Sequence, residues 1–214
     1  MVRKSIVYIL IFFMNSYVFG KEGKDIHQAI VDGNVNEVKS LISNKRNIGL
    51  RNKKGRTPLM TAANSGQKEI VKILLDAKAN VNDKDTEYST TALMLAAEKG
   101  HHEIVNLLIA AKVDINALDN GGYCALMYAT ASQNDVKIVT TLIRARANIN
   151  LQNEAGVTPL MFAVSLDKIE VVKLLVNAKV DLNIKNKKGQ SALSIAMDKK
   201  NQPMTDLLQK AGAK

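Results

Sequence analysis

The 214-residue chain has no Trp, one Cys, three Pro, three His, five Tyr and four Phe. A single Cys can build neither an intramolecular disulfide nor the Cys cluster of a structural zinc site. No Gly-rich phosphate cradle and no acidic calcium loop occurs. Acidic residues are the minority, 20 against 30 Lys and Arg, for a formal charge of +10. That balance raises nucleic-acid and membrane-surface readings. The longest unbroken apolar run is Ile6 to Met14, well short of the ~20 residues a membrane-spanning helix needs. A hydrophobic content of 46% excludes a wholly disordered chain.

The aromatics are unevenly placed. Tyr8, Phe12, Phe13, Tyr17 and Phe19 crowd the first twenty residues, leaving Tyr88, Tyr123, Tyr128 and Phe162 for the rest. Those twenty residues form a unit of their own. Arg3 and Lys4 supply a positive start, the apolar run follows, and Asn15-Ser16-Tyr17-Val18-Phe19-Gly20 ends in a small residue. This is the three-part pattern of a secretory signal peptide, with cleavage expected between Gly20 and Lys21. An uncleaved N-terminal anchor is the second reading. Removal of the segment takes the charge from +10 to +8. Export would place the mature chain in the periplasm or outside the cell, with no stable membrane span.

The remainder repeats. Ala62, Ala96, Ala129, Ala163 and Ala196 recur at intervals of 33 or 34, and Ala29 stands 33 before the first. Leu59, Leu93, Leu126, Leu160 and Leu193 keep the same rhythm, as do Leu41, Leu74, Leu108, Leu142, Leu175 and Leu208. Asn82, Asn116, Asn150 and Asn183 close successive units. Registers sharing one period mark a tandem-repeat architecture. The unit from Asn52 to Asn82 predicts a turn, a short helix, a tight loop and a second helix. Thr57 can cap the first helix, with Pro58 preset for its first turn. Leu59, Ala62 and Ala63 make a stripe of small apolar residues, Gly66 permits a left-handed helix end, and Ile70, Val71, Leu74 and Leu75 give the second helix its spacing. Lys54-Gly55 suits a hairpin-like turn. No such unit buries its own stripe, so stability must come from neighbours.

These residues resemble the ankyrin-repeat family. Thr57-Pro58-Leu59 recurs as Thr158-Pro159-Leu160 and in weaker form as Thr91-Ala92-Leu93, Cys124-Ala125-Leu126 and Ser191-Ala192-Leu193, and the element Gly100-His101-His102-Glu103-Ile104-Val105 is complete. The resemblance implies an all-α solenoid of stacked helix-turn-helix units joined by hairpin-like turns. The division expected is 1–20 signal peptide, 21–51 N-terminal capping repeat, 52–186 four central repeats and 187–214 C-terminal capping repeat. The family places His after Thr-Pro-Leu, where it ties units by hydrogen bonds. This chain has Met60, Met94, Met127, Met161 and Ser194 there. Met fills the space, but the expectation is that it cannot make those bonds. The unit of Leu93 has an extra residue between Thr86 and Thr90 and lacks the turn Gly, and that of Leu126 gains one around Ser132 to Asp135.

Catalytic chemistry finds no foothold. His101 and His102 fall in the repeat motif, His27 is isolated, and Cys124 replaces a capping Thr. Asp83 and Asp85 lie in inter-unit turns, where carboxylates bond backbone. No enzyme, cofactor, metal site or small-molecule substrate is expected. Nucleic-acid binding is disfavoured because lysines spread over every unit, only six residues are Arg, and few aromatics are available for stacking.

What the resemblance implies instead is a protein-binding module, gripping its partner with turn tips and the exposed side of the first helices. Lys53, Lys54 and Arg56, then Tyr88, Tyr123, Lys187 and Lys188, fall on the tips. Leu95, Tyr128 and Phe162 fall on the inward helix positions. The expected partner is a protein, possibly acidic by the basic ends, met at an apolar centre. Alternatives are a polyanion or anionic-envelope binder, or an accessory protector or inhibitor of an exported enzyme. N-terminal sequencing of the protein recovered from expressing cells is expected to begin at Lys21, whereas a start at Met1 contradicts cleavage.

Overall fold

The computed structural model describes residues 25–132 and 135–214. The expected signal peptide and part of the Ser132–Asp135 insertion lie outside them. Among the described residues, twelve α-helices fall into six pairs. These are α1 (Ile26–Val31) with α2 (Val35–Ile42), α3 (Pro58–Asn64) with α4 (Lys68–Asp76), and α5 (Ala92–Glu98) with α6 (His102–Ala110). They continue with α7 (Ala125–Ala131) and α8 (Asp135–Arg144), α9 (Pro159–Ser165) and α10 (Ile169–Asn177), and α11 (Ala192–Asp198) and α12 (Gln202–Lys210). A 3-10 segment, Lys45–Gly49, follows α2. Among the described residues the only extended pairing is two isolated bridges, Lys84 with Thr91 and Leu118 with Cys124. The fold is the expected all-α solenoid.

Local chemistry starts each first helix. The Thr57, Thr91 and Thr158 hydroxyls accept the Met60, Met94 and Met161 amides, at 3.4, 3.3 and 3.2 Å. The methionines take a further part, each within its own unit. Met60 sulfur accepts the Thr57 N–H at 3.4 Å and Met94 sulfur that of Thr91 at 3.5 Å. Ser194 Oγ takes the Ser191 N–H at 2.9 Å. These side chains therefore close a reciprocal cap at the helix start, with sulfur as the weaker acceptor. At Cys124 no side-chain cap forms, as its residue type implies.

Short first helices pack against their neighbours in chain order from α1 to α11, and second helices from α2 to α10 do likewise. The alanine register lies where first helices meet: Ala29, Ala62, Ala96, Ala129, Ala163 and Ala196 are all 0% exposed. Absence of a larger side chain is what lets the backbones approach. Leu74, Leu108, Leu142, Leu175 and Leu208 are buried at the second helices. One core therefore runs the length of the stack.

A polar ladder ties units on another edge. The side-chain carbonyls of Asn82, Asn116, Asn150 and Asn183 accept the backbone amides of Asp114, Asn148, Asp181 and Lys214, at 2.8, 2.8, 3.0 and 2.9 Å. The Asn register is thus an inter-unit bond repeated once per period.

Enlarging a residue in the alanine seam tests the packing. Ala129→Leu is expected to lower stability by about 1–3 kcal/mol, the usual cost of overpacking a filled core. It should move the urea midpoint down, and an unchanged midpoint would show that the seam has room.

Candidate partner-binding surface

Between consecutive units the chain makes a tip, and each tip is wound on one Asn or Asp side chain. Asn52 Oδ1 accepts the amides of Lys54 and Arg56 at 2.9 and 3.1 Å. Asp85 Oδ1 accepts those of Tyr88 and Thr90 at 2.9 and 3.2 Å. Asp119 Oδ1 accepts Gly121 and Tyr123, both at 2.8 Å. Asn153 accepts Ala155 and Val157 at 3.0 and 2.9 Å, and Asn186 accepts Lys188 and Gln190, both at 2.9 Å. These five positions recur every 33 or 34 residues. They form a register that the apolar patterning did not single out, although Asp85 behaves as the sequence led us to expect.

Neighbouring tips are stitched together. The amides of Asn120, Glu154 and Lys187 donate to the carbonyls of Tyr88, Gly121 and Ala155, at 2.9, 3.0 and 3.0 Å. Such closeness explains Gly122 and Gly156. Gly122 has φ 76°, and a Cβ there would stand 2.8 Å from the Glu154 amide nitrogen. The tip that lacks Gly places Ser89 in the left-handed region, at φ 59°.

On this frame the structure gathers three of the named aromatics. Tyr123 meets Tyr128 edge-on with centroids 6.5 Å apart and Phe162 at 5.9 Å, the arrangement that ring quadrupoles favour. All three are half-buried. They line an open cleft of about 430 Å³ together with Tyr88, Met127, Glu98 and Asp119. Tyr88 is 54% exposed at its rim. The Tyr128 hydroxyl donates to Asp119 Oδ2 at 2.7 Å. Burial first, then that bond and the Asp119, Glu98 and Asp85 carboxylates, hold the phenol protonated far above its ordinary range.

Two expected contributors take other places. Leu95, at an inward helix position, is only 2% exposed and belongs to the core, because α5 is enclosed by α3 and α7. Arg56 is half-buried, its Nε 3.6 Å from Asp85 Oδ2, and braces the next tip rather than projecting to solvent. Lys53, Lys54, Lys187 and Lys188 are exposed, at the first and last tips.

The remaining chemistry is structural. His27 is 6% exposed, its Nδ1 2.8 Å from Thr61 Oγ1 and its Nε2 3.0 Å from the Leu50 carbonyl. His101 Nε2 lies 3.3 Å from the Asn64 carbonyl and His102 Nε2 2.9 Å from Thr141 Oγ1. Burial pushes the Cys124 thiol up, the opposite of what a nucleophile needs. Among the described residues no His, Cys, Asp and Glu group is placed to hold a metal ion. Nor is any described helix long and apolar enough to cross a membrane.

Stacked helix pairs with hydrogen-bonded tips define a helical repeat scaffold. The chain belongs to the ankyrin-repeat family: a model of ankyrin repeats in three copies matches residues 5–85, 26–119, 78–153 and 126–214. A comparison with curated proteins finds no match. Ankyrin repeats are generally protein-interaction modules and typically non-enzymatic scaffolds.

Asp85 gives the surface a pH signature. Burial pushes its carboxyl up, but bonds from the Thr90 hydroxyl and the Tyr88 and Thr90 amides, with Arg56 nearby, hold it below 3.8. A depressed folded value contributes stability above the unfolded value, lost as pH falls through the folded one. Stability should therefore decline below pH 3.8, and Asp85→Asn should flatten that decline in acid-unfolding curves. An identical slope in the variant would contradict the assignment.

Proposed function

We propose that the protein is an exported binding module that holds a protein partner along its row of tips, with the aromatic cleft as the anchoring point. The single observation that carries this reading is the edge-on cluster of Tyr123, Tyr128 and Phe162 opening to solvent beside exposed Tyr88. A monomeric protein gains nothing by leaving four aromatics at one surface opening, whereas aromatic anchors at the centre of an interface supply most of its binding energy. The tips and helices beneath it are fixed by inter-unit bonds, so a partner meets a surface that loses little entropy on binding. Lys53 and Lys54 at one end and Lys187 and Lys188 at the other would steer acidic flanks of the partner and raise its association rate. The N-terminal pattern of charge, apolar run and small residue supports export.

Photo-crosslinking from position 88 in the native host would capture the partner for identification. With it in hand, Tyr123→Ala combined with Phe162→Ala should weaken binding by about 2 kcal/mol or more, the scale of an interface hot spot. Helical circular dichroism should be preserved. Unchanged affinity in a folded variant would remove the cleft from the interface.

A further inference from the structure

The chain carries +10 overall, yet the cleft has the opposite sign. Two carboxylates, Glu98 and Asp119, line it, and no lining residue is basic. Glu98 pairs with Lys99 at 3.1 Å, but both side chains are well exposed, at 40% and 45%, and such a surface pair is easily exchanged. Asp119 accepts three hydrogen bonds, from the Gly121 and Tyr123 amides and the Tyr128 hydroxyl. A carboxylate offers about four acceptor positions, one more than these bonds use. Glu87 and Glu154, on the neighbouring tips, are exposed. The row of tips therefore runs basic at Lys53 and Lys54, acidic through its middle, and basic again at Lys187 and Lys188.

Resting on the reading that this cleft seats a protein partner, we infer that the anchoring group is a cationic side chain, an arginine, inserted against Tyr123, Tyr128 and Phe162 with its guanidinium facing Asp119 and Glu98. Ring faces attract cations, and arginine does so best because its planar, weakly hydrated head stacks on rings while its fork meets carboxylates. Rings with carboxylates at one opening suit a group that is apolar along its stem and charged at its tip. Lysine fits the charge but not the stacking. An apolar chain would strand both carboxylates, and an acidic one would be repelled. The partner segment is thus basic at its centre, and any acidic residues lie on its flanks, opposite the lysine ends.

The test uses the full mature chain and blocked tripeptides carrying a central Arg, Lys, norleucine or Glu, followed by NMR shifts of the Tyr123, Tyr128 and Phe162 rings and the Met127 methyl. The expected order is Arg, then Lys, then norleucine, with no shift from Glu. Asp119→Asn with Glu98→Gln removes the charges gently, since Asn52, Asn153 and Asn186 already do the tip's work in other units. The double variant should weaken the Arg peptide about tenfold and leave norleucine unchanged. Norleucine binding as tightly as Arg, or an Arg affinity indifferent to the double substitution, overturns the cation while leaving the binding surface standing. No shift from any peptide overturns the arginine anchor, and the partner's sensitivity to Tyr123→Ala with Phe162→Ala then decides the wider reading separately.

Discussion

No unit of this protein can bury its own apolar side, and every other feature follows from that constraint. A pair of helices of seven and nine residues has too little surface to enclose Leu59, Ala62, Ile70 and Leu74. Each is hidden by the next unit. The alanines at 0% exposure mark where backbones come closest, and the fixed distance between units that results is what brings successive tips within hydrogen-bonding reach. The cleft exists because Tyr123 on one tip and Tyr128 on α7 of the same unit are held one repeat from Phe162 on α9. The 5.9 Å approach of Tyr123 to Phe162 is a consequence of stacking distance, whereas the 6.5 Å Tyr123–Tyr128 pair forms within one unit.

Charge follows the same logic. Many of the basic residues are engaged in holding units together: Arg51 bonds the Lys84 carbonyl, Lys84 that of Leu118, and Lys199 pairs with Asp167. An excess spread over repeat junctions is weaker evidence for a polyanion partner than the number alone suggests. What distinguishes one surface from another here is local sign, and the acidic, aromatic middle of the tip row differs from its lysine ends.

The repeat was legible because four registers share one period and because Thr-Pro-Leu, Gly-His and the alanine pairs name their own structural duties. Helix pairing, capping at Thr57, Thr91 and Thr158, and the uncapped start at Cys124 all follow from residue types at those positions. Placement of the aromatics on one surface was legible too, since it depends only on position within a repeat. Three things were not. Leu95 occupies the same repeat position as Tyr128 and Phe162, yet it is buried: a leucine there is short enough to be covered, whereas the larger rings extend past their neighbours. The bonds made by Met60 and Met94 were missed because sulfur is a poor acceptor by type, and only proximity to the Thr57 and Thr91 amides makes it one. The tip register of Asn52, Asp85, Asp119, Asn153 and Asn186 was in plain view but alternates between two residue types, which hides it from a search for identical letters.

The central claim is that the folded stack builds the aromatic cleft before any partner arrives. Nuclear Overhauser contacts between the ring protons of Tyr123 and those of Tyr128 and Phe162, recorded in the free protein, address it most directly. Cross-peaks from Tyr123 to both rings are predicted in the free state. Their absence in a chain that is otherwise folded would show that the cleft is not preformed and would contradict the account.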